Sequence, residues 1–516
     1  MKKRDILRLA VVTVGLFLSG GCSDFLEEES QDEVIPKTVT DFSELLMGSG
    51  YPSTAYYPGS ILAQLDDDKM LDRDGENVLG STGAEEWFPA FTWQPDLYRR
   101  DEGTPLASTE YYMWYERIKG CNAVLDYIDD AIGTQSEREQ VKAEALALRA
   151  YYYFWLVNLY GEPYNYNKEA LGVPLKLTST VQEEVGGARN TVKEVYEFIE
   201  RDLTEGLPLL RDNAYDVAKY HFTKAAGAAF AARYYLYRGD SWDKVQAYCT
   251  EVLGEGTGYK DLLRNYTQNY LPVSSNVIEY MKLYTNYGEP AILLLTNGVS
   301  IWWRAESFSR YGLSLSKKNE IFPDNDPVCG GKLIYPIFGA APTYVLYKSY
   351  EYFKNTYPGS TTGRPYVFCV AFSMEEVALN RAEAYTMTKD YDKALADINL
   401  FLSTRITSYN PTSHTVTLEK IKRFYGEQKN GVELEPWYKD QIDADQMLVL
   451  KYITDLKRRE FCSEGMRWFD VKRFNIEVTH KEYGTQNKYI LTKDDPRRLL
   501  QVPVTAVSYG MEPNPR

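Results

Sequence analysis

Two carboxylates one helical turn apart, Glu460 and Glu464, sit in the most densely charged stretch of the chain, Lys457-Arg458-Arg459-Glu460-Phe461-Cys462-Ser463-Glu464-Gly465-Met466-Arg467-Trp468-Phe469-Asp470-Val471-Lys472-Arg473. A pair of acids is the minimum equipment for hydrolysing a glycosidic bond. Arginines three to six residues away argue against that use, because nearby cations favour the ionised carboxylate and keep both acids charged. The stretch therefore reads as a structural ion-pair network. No G-x-S-x-G elbow, H-E-x-x-H helix, phosphate loop or dinucleotide fingerprint occurs. Only three histidines, His221, His414 and His480, are available for proton transfer or metal binding. The reading is a chain with no catalytic residues, no cofactor and no metal. A glycosidase stays open as the rival class, since its two acids are brought together by the fold and 73 acidic residues offer no choice of pair.

Binding chemistry is easier to find. The chain has 44 tyrosines, a composition that suits extracellular surfaces working through flat amphipathic side chains. Trp302 and Trp303 follow an apolar run and precede Arg304 in a segment without helical period, and Trp87 stands in a similar one. An exposed indole presents a flat face to a sugar ring and an N–H to a hydroxyl, so these three are the candidate ligand contacts. The run Tyr151-Tyr152-Tyr153-Phe154-Trp155 is more tempting and less suitable. Five adjacent aromatics point all round a helix, and most must be packed inside.

The N-terminus sets the address. Lys2, Lys3, Arg4 and Arg8 flank an apolar run from Leu9 to Leu18, and Ser19, Gly20 and Gly21 precede Cys22. An apolar stretch of roughly ten residues is too short to span a bilayer and reads as a secretory signal over 1–21. Small residues before Cys22 resemble the bacterial lipoprotein box, which implies a lipid on Cys22. The box departs from its usual form at Ser19, where leucine is common. Residues 22–37 are rich in Asp and Glu and read as a solvated tether. A net charge of −15 repels phosphate backbones and makes nucleic acid an unsuitable partner. Cys121, Cys249, Cys329, Cys369 and Cys462 are an odd set without short paired spacings, so neither a disulfide framework nor a zinc motif is readable.

Helices must position whatever binds. Ala143, Leu146, Ala147, Ala150, Phe154 and Val157 recur at steps of three and four, as do Val192, Val195, Tyr196, Ile199, Leu203 and Leu207. Capping boxes are expected at Ser136/Glu139, Thr191/Glu194 and Ser373/Glu376. The stretches Ala232 to Val245 and Ala382 to Ala394 share one layout: a small-residue helix end, a polar turn, then aromatic-Asp-Lys-small. They resemble tetratricopeptide helix pairs. Loop-rich insertions, full of Pro and Gly, are expected near 51–107 and 255–370, with Ala291 to Leu295 as a strand. The expected fold is mostly α, a tetratricopeptide-like scaffold with long irregular insertions, in one domain over 38–516.

In order along the chain, Cys22-Ser23-Asp24-Phe25-Leu26-Glu27, Tyr115 to Leu125, Lys142 to Tyr152, Leu159 to Pro163, Gly172 to Leu175, the helix pairs, Arg459 to Arg473, Val502 to Val504 and Asn514-Pro515 resemble the SusD/RagB family of surface lipoproteins. The resemblance implies a binding protein rather than an enzyme, held on the outer membrane and facing outward. It implies capture of an oligosaccharide or polysaccharide, or of a peptide as the RagB name suggests, and delivery to a SusC-like TonB-dependent transporter. Helices are that family's scaffold and loops hold its ligand.

Overall fold

Thr134 and Thr191 show how the helices begin. The Thr191 hydroxyl accepts from the Glu194 amide and the Glu194 carboxylate accepts from the Thr191 amide, the expected reciprocal cap. The neighbouring helix starts earlier than expected: the box is Thr134/Glu137, not Ser136/Glu139. Glu137 turns back to Thr134 while Glu139 accepts from Gln135, so the earlier residue takes the cap. Ser373 caps its helix through the Glu376 amide, but the box is only half formed because Arg233 occupies the Glu376 carboxylate.

The computed structural model describes residues 36–52, 59–68, 88–95, 109–180, 188–298, 313–340, 343–481 and 486–516. The scaffold is built from helices α1 Thr109–Leu125, α2 Gln135–Tyr160, α3 Val192–Gly206, α4 Lys224–Arg238, α5 Trp242–Leu253, α6 Met374–Met387, α7 Tyr391–Ser403, α8 Ala444–Glu460 and α9 Met466–Arg473. Neighbours pack as α1 on α2, α2 on α3, α4 on α5, α5 on α6, α6 on α7 and α6 on α8. Every residue of α2 from Ala143 to Tyr160 is buried, including the whole run Tyr151 to Trp155. A helix apolar on all sides belongs at the centre, and α2 is there.

Three pairs of helices are locked by buried arginine forks. Arg149 of α2 holds Asp202 of α3 at 2.7 and 2.9 Å, Arg233 of α4 holds Glu376 of α6 at 2.5 and 2.6 Å, and Arg381 of α6 holds Asp397 of α7 at 2.8 and 2.7 Å. Buried ion pairs add little net stability, but breaking one strands a charge, so they set register. Arg149 also donates to the Asn122 side-chain oxygen, and the Asn122 amide reaches the Lys176 and Thr178 carbonyls. Beside it the Ser49 backbone crosses where a Gly120 side chain would stand. The closing segment docks the same way: Asn514 donates to the carbonyls of Tyr160 and Leu500.

Within 255–370 the described chain forms helices Val277–Tyr284 and Leu315–Ile321 and the start of an antiparallel sheet. Its strands are β1 Ile292–Gly298, β2 Glu351–Asn355 and β3 Gly363–Ser373, ordered β1-β3-β2. The apolar run ending at Leu295 is thus a strand, extended to Gly298. Val367, Cys369 and Ala371 of β3 are buried, while Tyr366 and Phe368 between them point to the other, half-exposed face. On its other side β3 places Pro365 opposite Phe353 of β2.

Candidate ligand-binding face

The charged stretch is structural, by partners the sequence did not show. Glu460 is fully buried and accepts from Arg405 at 3.1 and 2.8 Å and from Tyr335 at 3.2 Å. Glu464 pairs with Lys348 at 2.5 Å and accepts from Tyr284 at 3.0 Å. Neither carboxylate pairs with the arginines beside it, contrary to expectation. Those arginines reach distant loops: Arg458 to Asp68, Arg459 to Asp326, Arg467 to Asp67. Burial works against the Asp67 charge, yet Arg458 and Arg467 hold its carboxyl far below the usual range. These side chains tie distant segments of the chain together.

The histidines are occupied as well. His221 pairs with Glu144 at 3.0 Å, His480 is stacked between Phe91 and Trp93, and His414 accepts from the Asn410 amide. Among the described residues no group of His, Cys, Asp or Glu is arranged to hold a metal. The five cysteines from Cys121 onward are buried, and among the described residues no two of them form a disulfide. Among the described residues, a pocket lined by Tyr284, Lys348 and Glu464 and another lined by Asn380, Arg467 and Asp470 each hold about 20 Å³. That is space for a water, not a sugar ring.

One outer face carries a cluster of aromatic rings. Tyr366 lies directly opposite Tyr352 across β3 and β2, their rings stacked at 5.4 Å and 24°. Phe368, next on that face, meets Tyr352 at 5.6 Å and Tyr366 at 5.7 Å. Tyr350 continues the row at 4.8 Å from Tyr352. Two further rings arrive from other segments: Tyr220 lies 5.5 Å from Phe368, and Tyr287 lies 6.5 Å from Tyr220. Tyr287 is 58% exposed and the other five rings are half-buried. The result is a continuous aromatic row, with Asn297 exposed beside it opposite Phe368.

The two loop-borne rings are held in place. His221, next to Tyr220, is fixed on Glu144, which also accepts from Tyr51 at 2.6 Å and Tyr215 at 2.5 Å. Lys219 on the other side donates to the Glu289 carbonyl, tying Tyr220 to the turn that carries Tyr287. Burial raises the Tyr220 and Tyr352 hydroxyl pKa values, so both remain protonated donors at neutral pH. Flat rings with free hydroxyl rims and an amide alongside offer what a polyhydroxylated ring needs, apolar stacking and hydrogen bonds.

Cys22, Trp87, Trp302 and Trp303 lie outside the described residues. Trp302 and Trp303 stand shortly after Gly298, the end of β1, which pairs with Val367 between Tyr366 and Phe368. The aromatic row itself was missed in the sequence. Its signal was there in part, since Tyr350-x-Tyr352 and Tyr366-x-Phe368 alternate as strand residues do.

A family pattern described as SusD-like, starch-binding and associating with the outer membrane, matches residues 24–236, and the SusD family pattern matches residues 341–511. This chain belongs to the SusD/RagB family. The fold agrees with solved structures of SusD-like proteins. A SusD superfamily protein from Bacteroides thetaiotaomicron shares 20% identity at a TM-score of 0.64, over 93% of this chain and 100% of that one. A SusD-like carbohydrate-binding protein from Bacteroides vulgatus shares 17% at 0.59, over 92% and 96%. A laminarin-binding SusD-like protein shares 16% at 0.56, over 93% and 99%. No curated protein matches the chain. In this SusD/RagB chain the segments that carry the family resemblance, around Gly120, Arg149, Arg467 and Asn514, hold helices and loop roots together. Of the aromatic row, Tyr287, Tyr350, Tyr352, Tyr366 and Phe368 come from the 255–370 insertion and Tyr220 from outside it.

Proposed function

We propose that this SusD/RagB protein is a lipid-anchored receptor on the outer membrane that captures an oligosaccharide or polysaccharide on the aromatic face and hands it to a SusC-like TonB-dependent transporter. The observation that carries the reading is the row of six rings from Tyr287 to Tyr350, half-exposed and spaced 4.8 to 6.5 Å apart. Soluble proteins rarely leave a contiguous apolar patch uncovered without a use for it. The protein binds and does not cleave, in keeping with the committed state of Glu460 and Glu464.

Affinity electrophoresis and calorimetry against a polysaccharide panel test this. The triple variant Tyr352→Ala/Tyr366→Ala/Phe368→Ala should lose about ten-fold or more in affinity for the glycan that binds the parent, at about 0.5–1.5 kcal/mol per ring contact. Circular dichroism checks that the variant is folded. Unchanged affinity would place the site elsewhere. Release of reducing sugar by the parent protein would make it a hydrolase, and binding of peptides alone would make it a RagB-type peptide receptor.

A further inference from the structure

The aromatic row does not end in solvent but in two cations. β2 and β3 pair without a register shift from Glu351/Val367 to Asn355/Gly363, so positions alternate cleanly between faces. On the face that carries Tyr352 and Tyr366, the next pair outward is Lys354 opposite Arg364. Like charges directly opposite on one face destabilise a sheet. Both residues are exposed, and among the described residues neither has a carboxylate partner. A lysine on the edge strand β2 alone would serve to discourage edge pairing, but that leaves Arg364 opposite it unexplained. A third cation, itself paired with Glu279 at 3.8 Å, stands at the other end of the same row: the Lys282 ammonium lies 5.1 Å from the Tyr350 ring centre. This concentration of positive charge occurs in a chain whose net charge is −15.

We propose that the glycan captured on this face is acidic, with a carboxylate or sulfate group seated between Lys354 and Arg364 while its sugar rings stack on Tyr352 and Tyr366. The proposal rests on the aromatic face being the binding site. An anion relieves the repulsion between the two side chains. Arg364 supplies a planar fork that accommodates either a carboxylate or a sulfate with two parallel N–H donors, and Lys354 supplies a compact charge. The overall negative charge does not prevent this. At physiological salt, charges more than about 8 Å away are screened, and the contact pair dominates.

The test is calorimetry at two salt concentrations with four probes: an oligogalacturonide for the carboxylate, a sulfated dextran oligomer for the sulfate, a neutral dextran oligomer and a short poly-glutamate peptide. The variants are Lys354→Gln/Arg364→Gln, Arg364→Lys and Tyr352→Ala/Tyr366→Ala. The expected result is tighter binding of one acidic sugar than of the neutral one, weakening with salt. The double Gln variant should lose about ten-fold for the acidic sugar and less than two-fold for the neutral one. Which acidic sugar responds decides between carboxylate and sulfate. If neither acidic sugar binds more tightly than neutral dextran, or if the Gln variant binds as the parent does, the charge proposal is overturned. Should the tyrosine variant still lose affinity in that case, the face survives as the site. If the tyrosine variant retains full affinity for every probe, the face itself is wrong. Binding of poly-glutamate in preference to both acidic sugars overturns the glycan assignment in favour of an acidic peptide.

Discussion

Lys472 of α9 is buried against the end of α2, its ammonium donating to the carbonyls of Asn158 at 2.5 Å and Gly161 at 3.1 Å. Burial pushes its pKa down to about 7, partly opposed by Glu162. In the unfolded chain the same amine titrates near about 10.4. Between pH 7 and pH 10 the unfolded state therefore holds a proton that the folded state has lost, and stability rises with pH in that window. Below pH 7 both states are charged and the dependence vanishes. Replacing Lys472 by Met removes the term, so the stability of the parent relative to Lys472→Met should climb by about 1 kcal/mol per pH unit from pH 7 to 10. Urea unfolding at four pH values measures it, and parallel pH profiles for the two proteins would disprove it. At this scale the sequence was legible where neighbours decide and illegible where distance does. The burial of Tyr151 to Trp155 follows from five rings on consecutive helix positions. Glu460 was paired in the wrong direction because its partner Arg405 is 55 residues away, and local charge density says nothing about which cation the fold delivers. Tyr220 and Tyr287 escaped notice for the same reason, as each is a lone tyrosine until the sheet gathers them beside Phe368.

Helix α4 ends at Gly239, whose φ of 74° is left-handed, and the matching turn after α6 has its left-handed residue at Lys389, φ 63°. The two turns begin helices with the same aromatic-Asp-Lys start, so the repeat seen in the sequence is a repeat of structure. They tolerate different residues because of their surroundings. A side chain at Gly239 would come within 2.7 Å of the Asn165 amide, whereas Lys389 is exposed and pairs with Asp443 at 2.9 Å. Gly239→Ala combines a left-handed backbone with a contact too close to keep, and should cost about 1–2 kcal/mol. A lower urea midpoint with an unchanged slope is the expected reading, and an unchanged midpoint would show that Asn165 and the turn relax freely. Helix existence and helix pairing were readable because period, caps and small residues act within a few positions. The start of α2 was misplaced by two residues because Thr134 and Ser136 both satisfy the capping pattern and only the direction of the Glu137 side chain separates them. The sheet was visible only as its β1 core, since β2 is an edge strand whose Lys354 and Asn355 carry no apolar period.

The whole molecule is a helical body that enters its fold abruptly. The Lys37 carbonyl accepts from the Ile132 amide and the Val39 amide donates to the Ile132 carbonyl, so chain upstream of Lys37 leaves from a fixed point. Among the described residues no helix is long and apolar enough to cross a membrane. We propose that a lipid on Cys22 attaches the body to the membrane of its transporter. From Cys22 to Thr38 an extended chain reaches at most about 55 Å, at about 3.5 Å per residue. In this proposal that length suffices for the body to reach over a partner while the lipid stays in the bilayer, and the acidic composition of residues 22–37 favours solvation. Anchoring and binding are then separable, because the ring contacts that build the aromatic row are made among residues 220–368. The variant Cys22→Ala should lose palmitate labelling and leave the outer-membrane fraction, yet in purified form bind the same glycan with affinity within two-fold of the parent. Labelling or membrane retention that persists in Cys22→Ala would refute the anchor. Loss of glycan affinity in the released protein would refute the independence of the two functions, and would mean that the tether contributes to the site.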